Sequence, residues 1–311
     1  MILTLTLNPS LDRTIEVDSL ERGAVIRAGA ARLEPGGKGV NVSRALLANG
    51  VASCAVVPYG GDQGHRLISL LGAAGLDMVT VPVQGPTRSN ITLAEPDGTI
   101  TKINEPGTAL SAEELERIAE AVLGAAHSAD WLVASGSLPP GVPADVYAML
   151  TRRFSAAGIL VAVDTSGPAL ECALAAGPAL IKPNREELAE ATGRQLYRLG
   201  DVVEAAEKLR AAGARTVLAS LGRDGALLVQ EDGVWYGEAP VTEPRSAVGA
   251  GDALLAGFLA AGAWGPAALA EALAWSAAAV ELPGSRMPGP GDIRRGHARV
   301  GPPDPDLPLQ P

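Results

Sequence analysis

The chain reads as an α/β fold: a central, mostly parallel sheet covered by helices on both faces, with a small antiparallel sheet projecting from it. Three observations predict this. Beyond residue 110, short apolar strands alternate with helical stretches, the pattern of a parallel sheet between helices. Two segments break that rhythm as strand pairs with no helix between them, which suits hairpins with one exposed face. Two glycine clusters, Gly36-Gly37-Lys38-Gly39 and Gly249-Ala250-Gly251, each stand directly before a helical run.

The elements follow in order. Met1–Leu7 alternates threonine with apolar residues, as a strand does. Thr14–Val17 pairs with Ala24–Leu33 in the first helix-free segment. Val40–Asn49 is a helix opened by glycines and closed by Gly50. Ala52–Val57 is a strand, His65–Ala74 a helix ended by Gly75, and Met78–Val83 a strand. Asn90–Ala94 and Thr99–Ile103 flank Asp97-Gly98 as a hairpin. Ser111-Ala112-Glu113-Glu114 is a capped helix start. Then come strand Trp131–Ala134, helix Ala144–Ala157, strands Leu160–Asp164 and Ala179–Lys182, helices Arg185–Thr192 and Asp201–Ala212, and strand Thr216–Ser220. Gly225–Gln230 and Val234–Gly237 form a hairpin across Glu231-Asp232-Gly233. The apolar run Ala253–Leu259 continues a helix opened at the second glycine cluster, and an alanine-rich helix follows it. With no internal repeat or long linker, residues 1–311 form one domain, its lid built from about 12–35 and 87–105. Residues 301–311 hold five prolines and are expected to be disordered.

Composition excludes several classes. The 311 residues are 47% hydrophobic but only 3% aromatic, so the core must be aliphatic and rich in alanine. Mean hydropathy is +0.18. The longest nearly apolar run, Ala253 to Trp264, is shorter than the roughly 18 residues a membrane span needs. The first residues read as a buried strand and not as a signal peptide, which points to the cytosol. A net charge of −10 argues against a nucleic-acid partner. Cys54 and Cys172 are too few for a disulfide framework or a metal cluster.

The chemistry is concentrated in the two glycine clusters. In Ser246-Ala247-Val248-Gly249-Ala250-Gly251-Asp252, the small residues let the backbone bend closely before a helix. The unpaired amides and positive dipole end there make an anion site. Asp252 at its edge is either a helix cap or a base that deprotonates a hydroxyl beside a transferring phosphoryl group. In Pro35-Gly36-Gly37-Lys38-Gly39-Val40-Asn41, close backbone approach combines with a cation and an amide. That suits a polyhydroxylated, anionic ligand or, more plainly, a glycine turn with a solvated lysine. The spacing is not that of a Walker A loop, and no Gly-x-Gly-x-x-Gly fingerprint follows a strand.

Gly36–Ala45 and Val248–Gly257, in this order and separation, resemble the two motifs of the PfkB sugar kinases of the ribokinase-like superfamily. Six further blocks resemble its phosphosugar branch: Thr6–Asp12, Thr87–Asn90, Asn104–Gly107, Ser135–Pro139, Lys182–Glu187 and Ser220–Gly225. The resemblance implies a ribokinase-like three-layer sandwich and ATP-dependent phosphorylation of a phosphorylated ketohexose. The acceptor it favours is the C6 hydroxyl of fructose 1-phosphate, with tagatose 6-phosphate and fructose 6-phosphate as alternatives. It implies Asp252 as base and Gly249, Ala250 and Gly251 as the anion hole. Asp12, Gly37, Lys38, Asn41, Arg88, Asn90 and Ser137 would bind the substrate, with Arg88 on its phosphate. Lys182, Asn184, Ser220, Gly222 and Gly225 would bind ATP, and Asn184 with Glu187 would position Mg2+ through water. Arg27 and Lys102 would reach the phosphate across a subunit boundary, Ser276 would face the adenine, and a homodimer would form through the lid sheets. A catalytically idle sugar-phosphate sensor on the same scaffold would have lost Asp252 or the glycines, and a dinucleotide oxidoreductase would need the absent fingerprint.

Overall fold

The computed structural model describes residues 1–97 and 99–310. Its elements run β1 (Ile2–Thr6), β2 (Ser10–Glu16), β3 (Ala31–Gly36), α1 (Lys38–Ala48), β4 (Ser53–Tyr59), α2 (Gly61–Ala73), β5 (Met78–Pro82), β6 (Arg88–Ala94), β7 (Ile100–Asn104) and α3 (Ala112–Ala125). They continue with β8 (Trp131–Ser135), α4 (Val146–Ala156), β9 (Leu160–Asp164), α5 (Pro168–Leu174), β10 (Leu180–Ile181), α6 (Arg185–Thr192), α7 (Leu199–Ala211) and β11 (Val217–Ser220). The last are β12 (Ala226–Gln230), β13 (Gly233–Glu238), α8 (Ala250–Ala260), α9 (Gly265–Val280) and β14 (Arg299–Gly301).

Among the described residues, ten strands form one sheet in the order β14-β13-β12-β11-β10-β9-β8-β1-β4-β5. The seven from β11 to β5 are parallel, and β12, β13 and β14 are added antiparallel at one edge. Alternation along each strand divides the core. Leu3, Leu5, Leu132, Val161, Val163, Val217, Leu227 and Val229 face α3 to α7. Ile2, Val133, Ala162, Leu218 and Leu228 face α1, α8 and α9. A period of two along the strand is thus read out as two helical layers.

The second sheet has the order β3-β2-β6-β7. Its outer pairs are antiparallel and its central pair, β2 with β6, is parallel. β2 pairs with a later stretch than expected, Ala31–Gly36, so β3 runs straight into the glycine cluster. In the hairpin expected around Asp97-Gly98, Gly98 lies outside the described residues.

One helix departs from expectation for an identifiable reason, and one expected cap is found. α2 begins at Gly61, four residues before His65, because its glycines pack instead of breaking the helix. A Cβ on Gly64 would lie 2.7 Å from Thr87 Oγ1. The capped start at Ser111 is present: Ser111 Oγ accepts from Glu114 N, and Glu114 Oε2 accepts from Ser111 N.

The proline-rich end is ordered, correcting the expectation of disorder up to residue 310; Pro311 lies outside the described residues. The carbonyls of Leu307 and Pro305 accept from the amides of Leu199 and Gly200, at 2.9 and 3.0 Å. Those amides are the unpaired donors of the first turn of α7. Prolines offer carbonyls and no N–H, so such a segment complements a helix start without losing donors of its own. Leu309 is buried in the core, and Gln310 N donates to Asp224 Oδ2. Leu309→Ala should therefore lower stability by about 2 kcal/mol, the low end for truncating a buried leucine. A urea midpoint unchanged from that of the parent chain would contradict the docking.

Candidate active site

The site lies at the carboxyl ends of the parallel strands, where open α/β sheets hold ligands. α1 is pressed against the end of β1. A Cβ on Gly39 would come within 2.6 Å of Thr6 Oγ1 and 2.9 Å of the Leu5 carbonyl. Gly37, the helix cap, has φ 119°, a value that favours glycine. This seating carries Lys38 over the end of β9. There Lys38 Nζ donates to Asp164 Oδ1 at 2.7 Å and approaches Glu187 Oε1 at 3.4 Å. Lys182, directly after β10, places Nζ 3.2 Å from Asp164 Oδ2 as a charge contact outside good hydrogen-bond geometry. Burial alone would raise the Asp164 pKa, but the two lysines outweigh it and hold the carboxyl below its ordinary range. Burial likewise works against the Lys38 charge, and Asp164 and Glu187 more than restore it.

α8 starts from Gly249, in the left-handed region at φ 80°. The amides of Ala250 and Ala253 donate to the carbonyls of Ala247 and Gly249. Those of Gly251 and Asp252 have no backbone acceptor among the described residues and remain available to an anion. A Cβ on Gly251 would lie 3.3 Å from Lys182 Nζ, so the amide turn and this cation share one space. Asp252 is buried, and Asn41 Nδ2 donates to its Oδ2 at 2.9 Å. Its pKa is pushed up to about 6, first by burial and then by the charge of Asp164; Lys182, the Asn41 hydrogen bond and Lys38 oppose the rise.

A second group sits where the small sheet meets the strand ends. Asp12 Oδ1 accepts from Ser10 Oγ at 2.7 Å and from Asn90 Nδ2 at 2.9 Å. Arg88 is held by two carbonyls: Nη1 donates to Glu105 and Nη2 to Asn8, both at 3.0 Å. Ser137 is exposed, and its Oγ accepts from Asn8 Nδ2. On the other flank, Asn184 bridges to Ser220, and Gly222 and Gly225 bracket a short helical turn. Arg27 and Lys102 are exposed on the small-sheet side, and Ser276 is half-buried on α9.

Asn184 and Glu187 form a reciprocal cap at the start of α6. Asn184 Oδ1 accepts from Glu187 N at 2.8 Å, and Glu187 Oε2 accepts from Asn184 N at 2.9 Å. Among the described residues no cluster of three His, Cys, Asp or Glu side chains could hold a metal. Glu187 Oε1 lies 3.4 Å from Lys38 Nζ and Oε2 is spent on the cap, so this pair suits a cation held through water and not in a protein cage.

Three residues of this site were not singled out from the sequence. Asp164 ends a strand in an open α/β sheet, and that position alone could have marked it. Asn8 lies in a quoted block, but its contacts with Pro106 and Ser137 cross more than 90 residues. Arg44 lies in the first glycine motif, and nothing in the local pattern shows that it is partly buried.

The model of the pfkB family carbohydrate kinases matches residues 5–289, which takes in both glycine turns and Asp252. The chain is 38% identical to a 1-phosphofructokinase of Rhodobacter capsulatus over 93% of each chain. It is also 38% identical to the ATP-dependent 6-phosphofructokinase isozyme 2 of Escherichia coli, over 82% of this chain and 83% of that one. The structure of phosphofructokinase-2 from Escherichia coli in complex with fructose-6-phosphate superposes with a TM-score of 0.86 at 34% identity, covering 94% of this chain and 96% of that one. The family match extends through nearly the whole length over which the two sheets and their strand-end cleft are built, and the chain accordingly belongs to the pfkB family of carbohydrate kinases, a phosphotransferase on a ribokinase-like fold.

Proposed function

We propose that this enzyme transfers the terminal phosphoryl group of ATP to the C6 hydroxyl of fructose 1-phosphate, giving fructose 1,6-bisphosphate and ADP. The observation that carries the reading is Asp252, a buried carboxylate whose pKa is raised to about 6 beside two unengaged helix amides and Lys182. A base poised near neutrality next to an anion cradle suits a hydroxyl attacking phosphorus.

In this reading Asp252 takes the hydroxyl proton as the new O–P bond forms and the bond to the ADP oxygen breaks. The Gly249–Gly251 turn and Lys182 face the charge on the moving phosphoryl group, so that catalysis is mainly alignment and charge compensation. Lys38 has three N–H donors and spends two on Asp164 and Glu187, which leaves one for a ligand oxygen. Asp12, Gly37, Asn41, Asn90 and Ser137 hold the sugar, and Arg88, its fork fixed by the Asn8 and Glu105 carbonyls, holds the phosphate already present. Lys182, Asn184, Ser220, Gly222 and Gly225 line the nucleotide side. Magnesium, when bound, would neutralise phosphate charge, with Asn184 and Glu187 holding it through water. The edge strand β7 of the small sheet exposes Ile100 and Ile103 and the loop before β3 exposes Val25, and a second copy of the chain is the proposed cover.

The second reading is fructose 6-phosphate. Fructofuranose carries a hydroxymethyl group at each end of its ring, so the two phosphates exchange places with little change of shape. Relatives named for each acceptor stand at the same 38% identity, and the choice between the two phosphates is what the substrate ranking below decides.

Three outcomes are expected. Asp252→Asn should keep the fold and nucleotide binding but lower kcat by about 10² to 10⁴, the range for losing a positioned base; near-normal turnover would refute the assignment. Because a base works only when deprotonated, kcat/KM should be flat above pH of about 6 and fall as pH drops through it. Coupled assays of ADP release should rank kcat/KM for fructose 1-phosphate above fructose 6-phosphate and tagatose 6-phosphate, and the opposite order would replace the acceptor.

A further inference from the structure

Arg44 is partly buried on α1, yet among the described residues no carboxylate comes within the 4.0 Å of an ion pair. A cation held largely out of water without a close ion pair is costly, so its hydrogen bonds must carry it. Its Nη1 lies within hydrogen-bond distance of three acceptors, which share its two hydrogens: Asn41 Oδ1 at 3.0 Å, the Pro35 carbonyl of β3 at 3.1 Å, and Ser285 Oγ at 3.3 Å in the segment after α9. Ser285 is buried, and its amide donates to Glu34 Oε2 at 3.4 Å, which ties that segment back to β3.

The consequence lies in the Asn41 amide. Its two ends differ only in that one donates and the other accepts. Turned the other way, its oxygen would confront an Asp252 oxygen. A guanidinium has donors only, so Arg44 demands the Asn41 oxygen and leaves Nδ2 for Asp252. We propose that Arg44 is a positioning residue: anchored on β3 and on Ser285, it fixes the Asn41 amide in the one orientation that aims the Asp252 carboxylate, and so couples the small sheet to the base. This rests on the reading of Asp252 given above. The charges facing Arg44 are Glu34, Asp12 and Asp252; those facing Asp252 are Asp164, Lys182, Lys38 and Arg44 itself.

The test uses Arg44→Met and Arg44→Lys in the full chain, alone and combined with Asp252→Asn. Arg44→Met should lower kcat by about 10- to 100-fold, the scale of a misplaced catalytic group, with KM for ATP within about twofold. Freed to rotate, Asn41 no longer donates steadily to Asp252, so the acid limb of kcat/KM should move to higher pH. Arg44→Lys, which keeps the charge and a single donor nitrogen, should restore part of both. In the Asp252→Asn background, Arg44→Met should cost almost nothing further, because the group it aims is gone. An undiminished loss in that background, or an unmoved acid limb, would show a merely structural role and overturn the proposal. If Arg44→Met has no cooperative thermal transition, Ser285→Ala removes one anchor and is read the same way: a smaller kcat loss with the limb raised supports the coupling, and no change in either overturns it. Failure of the base assignment itself is distinguishable, since Asp252→Asn alone would then keep its turnover.

Discussion

The site depends on a fully buried carboxylate kept ionised between two lysines. Asp164 has no exposed surface, and a lone charge there would be neutralised by protonation. Lys38 and Lys182 prevent this, and they arrive from different parts of the chain: the first residue of α1 and the residue after β10. The ion group therefore fixes the relative positions of two strand ends and one helix start. It also sets the field at Asp252. The charge of Asp164 raises the Asp252 pKa and the lysines lower it, so burial is left as the dominant cause of its rise. Substituting a neutral residue at 164 would change both the lysine positions and the basicity of Asp252.

Burial of Asp252 is in turn a product of how small the surrounding residues are. α8 is buried over most of its length, from Asp252 to Leu259, and packs closely on α9. A Cβ on Gly257 would fall 2.8 Å from Trp275 Cγ, so the helices touch backbone to ring. An alanine-rich composition with few aromatics makes such approach possible along the whole pair. Because the helix sinks into the core up to its first turn, the carboxylate at that turn loses water, and its pKa rises. Packing and chemistry are here one fact seen at two scales.

Much of this was legible in local pattern. Short apolar strands alternating with helices gave the sheet covered on both faces, and glycine before apolar helix gave both turns and Asp252. The parts that were not legible share a cause: their reason lies in a distant partner. Gly61 and Gly64 look like helix breakers until the 83–87 segment is placed against them. The prolines near the end look like disorder until the unpaired amides of α7 are set opposite their carbonyls. Asp164 reads as the polar end of a strand, and only the arrival of Lys38 from 126 residues away makes it a hub. Arg44 looks like a surface helix residue, because its three acceptors come from Asn41, Pro35 and Ser285, the last 241 residues away.

One covalent detail joins the acceptor side to the base. β3 ends at Gly36, and α1 begins at Lys38, so the small sheet and the helix carrying Lys38 and Asn41 are separated by Gly37 alone. Within the small sheet, Asp12 stands opposite Glu34 on β3 and Asn90 on β6, so the group around Asp12 moves with β3. The chain also crosses between the two sheets at 7–9, 83–87 and 105–111, and of the four joints the one at Gly37 is nearest to Lys38 and Asn41. The Arg44 bond to the Pro35 carbonyl spans this joint. A tilt that shortens or breaks it changes what holds Asn41, and through Asn41 what holds Asp252. The groups expected to hold the sugar and the base are thus tied to each other across the Gly37 joint, by the Arg44 bond to Pro35 on one side and the Asn41 bond to Asp252 on the other.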